Sequence, residues 1–156
     1  MPNWIYIFFN LLYNLGLALW IGGAVALGAL TAPELFRALP RHQAGSIFGL
    51  VLGRFARLRV WALVMIVIGA GAKFLWWERH AASPWIAIRW ASIVIMAWAL
   101  LVDIRLQKKM RSAATNLGPD VPNDSPQRAR FNVWHVRAER VMKASVIAAI
   151  FALIFS

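Results

Sequence analysis

The chain has no cysteine, few acidic residues and little charge of any kind. None of its 156 residues is Cys, which excludes disulfides, thiolate metal ligands and a thiol nucleophile. Only six residues are Asp or Glu, beside 17 Lys or Arg, and charged residues make up 15% of the chain. A soluble domain usually carries about a quarter. So little charge cannot cover an apolar core with a polar surface, which excludes an ordinary soluble domain.

Apolar residues make up 61% of the chain, and its mean hydropathy is +0.62. A helix that crosses a bilayer needs about 20 mostly apolar residues. Four segments are predicted to cross, at about 4–30, 60–77, 84–106 and 130–155. The fourth is apolar only from Val141 to Phe155, too short alone, so its first turns are expected at the headgroups. The first is uncharged and longer than the apolar part of a signal peptide. The predicted fold class is therefore all-α: a polytopic membrane protein, with a four-transmembrane-helix bundle in one domain, 1–156.

The connections between these segments differ in character. The first (31–59) is basic, and within it His42–Phe55 has the pattern of an amphipathic helix lying on the membrane surface. The third, 107–126, is a polar linker rich in Pro, Gly and Asn. Of the 17 Lys and Arg, 14 fall in or beside the first and third connections and three beside the second. By the positive-inside rule the former are cytoplasmic, so both termini are predicted on the non-cytoplasmic side of a bacterial-type inner membrane.

A net charge of +11 could also indicate nucleic-acid binding. The basic residues, however, lie between apolar runs and do not form a stripe interleaved with aromatic residues. We therefore predict no nucleic-acid partner. The predicted partners are the lipid bilayer and other membrane protein subunits.

Small residues within the apolar segments predict where helices approach one another closely, because packing in lipid depends on such contacts. The glycines expected at these contacts are Gly22, Gly23, Gly28, Gly69 and Gly71. Nine Trp residues are present, and those near segment ends, Trp20 among them, are expected to anchor at the membrane boundary.

A cluster of polar residues is predicted at the cytoplasmic mouth of the helices, because ionisable groups near membrane depth are costly and often functional. Its members are Glu34, Arg37, Arg54, Asp103, His135 and Glu139. One interpretation is a site for a metal, an anion or a proton. The other, which we favour, is a network of structural salt bridges.

The sequence predicts no metal site and no catalytic residue. It contains only three His, and His80 falls on the opposite side of the membrane from the other two. The sequence contains no serine-hydrolase, zinc-protease, phosphate-binding-loop or dinucleotide-binding motif, and no motif implies a cofactor. An enzyme is therefore the least favoured class.

The stretch Leu19–Gly23 is followed by Ala32–Pro40 with Ala44 and Gly45, and the last segment has an arginine-rich entry, Arg130–His135. These two stretches resemble the TMEM205-like family, also described as DUF4149, a four-helix membrane domain of unknown function. After the histidine, that family tends to carry a small hydroxyl residue and then an asparagine, and Ala138 and Met142 stand at those positions here. The resemblance implies the four-helix architecture but no particular activity.

Three functional hypotheses follow. The first is a non-enzymatic accessory or structural subunit that packs against a larger membrane complex. The alternative is a small transporter or an ion- or metal-handling protein that uses the cytoplasmic polar cluster. An enzyme that acts on lipid or isoprenoid substrates is the third, with Glu34 and Asp103 as its only candidate magnesium ligands.

Overall fold

In a computed structural model of the chain, residues 3–78, 83–115 and 126–156 are described. Helix α1 (Asn3–Val25) continues through a π-helical turn (Ala26–Thr31) into the short α2 (Ala32–Ala38). Helix α3 (Arg41–Lys73) ends in a second π-helical turn (Phe74–Glu78). Helices α4 (Pro84–Thr115) and α5 (Pro126–Ile154) follow. The described residues contain no β-strand.

The π-helical turn at the end of α1 comes directly before a proline. Pro33 lies in the first turn of α2, where a missing N–H is tolerated. Just before it, the backbone N–H of Ala32 donates to the carbonyl of Leu27, five residues back, and the Thr31 hydroxyl donates to the carbonyl of Ala26 at 3.0 Å. The backbone therefore passes from α-helical to π-helical winding and back without a break, and helical structure continues to Ala38.

Three helical stretches of the described chain are long and apolar enough to cross a membrane: Asn3–Ala38, Gln43–Glu78 and Pro84–Met110. They correspond to the first three predicted segments, so the all-helical, multi-pass expectation is confirmed to this extent. Helix α5 is equally continuous, but its first half is rich in basic residues. That composition leaves it outside the set of strongly apolar helices.

Two helices are longer than the apolar runs indicated. The segment His42–Phe55, expected as a separate helix on the membrane surface, is instead the beginning of α3 and continues without interruption into the second apolar stretch. Helix α4 continues beyond residue 106 to Thr115, so the first part of the predicted linker 107–126 is helical. Residues 116–125 lie outside the described part of the chain.

Helix α1 packs along α3 and α4 along α5, while the contacts of α1 with α5 and of α3 with α4 are less extensive. The core between the helices is formed by twelve buried side chains: Tyr13, Leu17, Trp20, Ala62, Ile66, Ala70, Ile93, Met96, Leu100, Ala148, Ala149 and Ala152. The many alanines bring the backbones of the helices together, as expected of helix contacts in lipid.

Two glycines allow the backbones of α1 and α3 to approach each other closely. A Cβ atom on Gly16 would lie 2.7 Å from the carbonyl oxygen of Ala62, and one on Gly69 would lie 2.7 Å from that of Phe9. Gly69 was among the predicted packing glycines, whereas Gly16 was not.

The other predicted packing glycines divide into two groups. A Cβ on Gly23 would overlap the ring of Phe55, so this glycine also lies at a close contact. A Cβ on Gly22, Gly28 or Gly71 would meet nothing within 4 Å. The described helices therefore need no glycine at these three positions for their mutual packing.

Candidate functional site

A cavity of about 710 Å³ lies between four elements. Its walls come from the end of α1 with its π-helical turn, the first half of α3, the end of α4 and the middle of α5. Most of the lining is apolar, from Leu27 and Phe48 to Val146 and Ile147. Five polar residues also line it: Asp103, Gln107, His135, Glu139 and Lys143.

Asp103 is the one carboxylate that is buried at this cavity, with 2% of its surface exposed. It forms an ion pair with Arg59 of α3, whose guanidinium donates to Oδ2. The Gln107 amide donates to the same oxygen at 3.0 Å. Both hydrogen bonds are made to Oδ2, and no hydrogen bond to Oδ1 is found within the described residues.

Arg59 is enclosed by aromatic and sulfur groups from the other helices. Its guanidinium carbon lies 5.4 Å from the Trp20 ring centre and 5.1 Å from that of Phe55, within the range of cation–π attraction. Its Nη1 contacts the Met142 sulfur at 3.3 Å. Trp20, expected at the membrane boundary, is completely buried here, and its indole N–H has no hydrogen-bond partner among the described residues.

The predicted polar cluster is divided by the structure. Asp103, His135 and Glu139 line the same cavity. Glu34 and Arg37 form an exposed ion pair of 3.5 Å on α2, away from the cavity lining, and Arg54 is exposed on α3. Glu139 is itself paired with Lys143 at 2.7 Å on the exposed side of α5. Three of the six residues thus come together and three do not.

A second polar cluster, the Glu78 cluster, lies at the opposite end of the helices and was not expected. Glu78 forms an ion pair with the buried Arg89 of α4, including an Nη1–Oε1 hydrogen bond of 3.0 Å. Nearby, the buried Lys73 donates to Asn10 Oδ1 at 3.1 Å, between the rings of Tyr6 and Tyr13. The Glu78 cluster therefore links three helices.

Both buried ion pairs join α3 to α4, two neighbouring helices that pack less extensively than α1 with α3 or α4 with α5. Nineteen positions of helix separate Arg59 from Glu78, which at about 1.5 Å per residue is about 28 Å. The hydrocarbon core of a bilayer is about 30 Å thick. The signal for these pairs was present in the sequence, since Arg59, Lys73 and Arg89 are charges within or beside apolar segments.

The lining of the cavity is suited to binding an amphiphilic molecule. Its apolar walls can surround a hydrocarbon body, while Asp103, Gln107 and His135 are among the polar residues of its lining. No group of three or more His, Asp or Glu side chains within the described ranges is placed to hold a metal ion.

Comparison with known proteins gives one match. A family model described as a domain of unknown function (DUF4149) matches residues 15–117, about two thirds of the chain. No curated protein and no solved structure matches it. The matched range includes both buried ion pairs and three of the four walls of the cavity, but ends before α5.

Proposed function

This chain belongs to the DUF4149 family, and we propose that it is a multi-pass membrane protein that binds a small amphiphilic molecule between α1 and α5. The observation that carries this proposal is the cavity of about 710 Å³, whose size lies within the usual range of ligand pockets. The ligand has an apolar body and a polar group that can donate a hydrogen bond, because Asp103 presents an acceptor at the cavity. Handling of such a molecule, by transport or by sequestration, is the corresponding function.

Substitutions at two glycines can test whether a small molecule binds in this cavity. Gly28 lines the cavity and a side chain there meets no neighbouring atom at its Cβ, so Gly28→Leu fills the space without disturbing the helices. Gly22→Leu is the matched control, since Gly22 is on the same helical stretch, is equally open and does not line the cavity.

Native mass spectrometry of protein extracted in mild detergent provides the measurement. We expect one bound small molecule on the wild type and on the Gly22→Leu variant, and a bare protein for Gly28→Leu. A bare wild-type protein, or a molecule that is retained equally by both variants, would contradict the proposal.

The membrane arrangement is also part of the proposal. We infer that α5 is the fourth crossing, because it packs along α4 and its last part is apolar. The distribution of Lys and Arg supports cytoplasmic first and third connections, with both termini outside an inner membrane of bacterial type. Alkaline phosphatase fused after Ser156 should then be active and a green fluorescent protein at that site dark. The reverse pattern would refute this orientation.

A second function, that of an accessory subunit in a larger membrane complex, is supported by one face of α1. Trp4, Ile7, Phe8, Leu11 and Leu15 follow one another at helical spacing, and each is about half exposed or more. Partner helices and lipid both suit such a face. Gentle extraction should then yield an assembly larger than the 17.5 kDa chain, and an exclusively monomeric protein would exclude this function.

Within the family, the stretch Leu19–Gly23 supports placing the chain among its TMEM205-like members.

A further inference from the structure

A second, smaller cavity of about 270 Å³ lies between α3 and α4, and its lining includes no residue of α5. We call it the α3–α4 groove. Six of the residues that line it decide its character: Gly53, Ala56, Arg57, Val60, Ile104 and Lys108. Gly53 and the buried Ala56 leave space between the two helices, because neither carries a large side chain.

The α3–α4 groove has a polar end and an apolar end. Arg57 and Val60 are three residues apart on α3, and Ile104 and Lys108 are four apart on α4, so each pair shares a helix face. Since the two helices run in opposite directions, the two basic residues lie together at one end. Val60 and Ile104, each about 40% exposed, lie at the other end, toward the middle of the apolar segments.

The two basic groups carry uncompensated charge. Arg57 and Lys108 are both exposed, and neither forms an ion pair with an acidic residue in the described chain. The nearest buried carboxylate, Asp103, is already paired with Arg59. The polar end of the groove therefore attracts an anion.

From this arrangement we propose that the α3–α4 groove is a binding site for one anionic glycerophospholipid. The lipid phosphate lies between Arg57 and Lys108, and an acyl chain lies over Val60 and Ile104. Basic pockets between transmembrane helices are a recurrent way to recognise anionic headgroups. A free phosphate ion uses only the polar end, whereas a phospholipid matches both ends of the groove. The α3–α4 groove shares Gln107 with the cavity between α1 and α5, but Arg57 and Lys108 do not line that cavity, and the proposal does not depend on the function assigned there.

Lipid titration of the full chain in detergent, followed by native mass spectrometry, measures this binding. Phosphatidylglycerol and phosphatidylcholine with identical acyl chains are compared, and we expect the wild type to prefer phosphatidylglycerol. Each basic side chain near a headgroup contributes about a fivefold increase in affinity. The double variant Arg57→Gln with Lys108→Gln should therefore bind phosphatidylglycerol about 25-fold more weakly.

Two control variants distinguish a defined site from general attraction to positive charge. Arg54→Gln with Arg105→Gln removes the same charge from exposed positions of the same two helices, outside the groove. We expect it to keep the preference. Gly53→Leu keeps every charge but fills the groove, and we expect it to lose the bound lipid.

Three results would overturn the proposal. The first is equal binding of the two lipids by the wild type. The second is an equal loss of phosphatidylglycerol in both double variants, which would indicate diffuse electrostatics. The third is displacement of the lipid by millimolar inorganic phosphate, which would indicate a simple anion site.

Discussion

The buried Arg59–Asp103 ion pair should make the stability of the protein depend on both partners together. Asp103→Leu leaves the Arg59 guanidinium buried with only the Trp20 and Phe55 rings and the Met142 sulfur around it. Removing one partner of a buried pair costs about 3–5 kcal/mol. For a chain of this length, that corresponds to a midpoint of thermal unfolding lowered by about 10 °C.

Removing both partners should cost much less. In Arg59→Met with Asp103→Leu, no charge remains in the core, and apolar replacements of buried pairs are often neutral or stabilising. The double-mutant cycle should therefore give a coupling of at least about 3 kcal/mol. The assay is heating of the detergent-purified protein, followed by size-exclusion chromatography of the fraction that stays monodisperse.

The exposed pair Glu34–Arg37 provides the matched control. Both side chains are more than two-thirds exposed, and exposed pairs contribute about 0–1 kcal/mol. The equivalent cycle, Glu34→Leu with Arg37→Met, should give a coupling below about 1 kcal/mol. Salt at 0.5 M should weaken this coupling but leave that of Arg59 and Asp103 almost unchanged, since buried pairs are screened less. Similar couplings for both pairs, or a double variant as unstable as Asp103→Leu, would refute the reasoning.

Two further predictions concern helix packing and use the same heating assay. Gly69→Ala should lower the unfolding midpoint, because its Cβ would approach the Phe9 carbonyl to 2.7 Å. Gly71→Ala is the control and should leave the midpoint unchanged, because a Cβ there meets no neighbouring atom. Equal effects of the two substitutions would contradict the assigned contact. Tyr13→Phe removes the 2.6 Å hydrogen bond from the phenol to the Ala152 carbonyl and should cost about 1–3 kcal/mol. A midpoint equal to that of the wild type would show that this bond does not hold α5 to α1.

The apolar segments could be predicted from sequence because each is a continuous run of about 20 residues. What the runs do not record is where a helix continues beyond them. The segment His42–Phe55 was expected as a separate surface helix, yet it continues into the rest of α3 without a break. No proline lies between it and Lys73, so nothing forces a kink and one helix axis is favoured.

The candidate site was less predictable, because ion pairs depend on which helix faces are neighbours. Asp103 was expected beside His135 and Glu139 and does share a cavity with them, but its partner Arg59 had been counted only as a basic residue at a membrane boundary. Arg89 was likewise counted only among the three basic residues beside the second connection, and Glu78 was taken only as a polar residue of that connection. Their pairing becomes visible only when α3 and α4 lie side by side.

The two buried ion pairs have opposite polarity, and this has a consequence for the fold. On α3 the cation, Arg59, comes first and the anion, Glu78, second; on α4 the cation, Arg89, comes first and the anion, Asp103, second. Because the helices are antiparallel, each cation meets an anion. The antiparallel direction itself follows from the short connection, because the few residues between Glu78 and Pro84 cannot span the length of a helix. The ion pairs select the register of α4 against α3, since a shift along the axis would separate each cation from its anion in an apolar surrounding. Apolar side chains select this register less strongly in lipid, because they contact acyl chains equally well. The ion pairs thus act at an interface with less extensive packing than that of α1 with α3 or of α4 with α5.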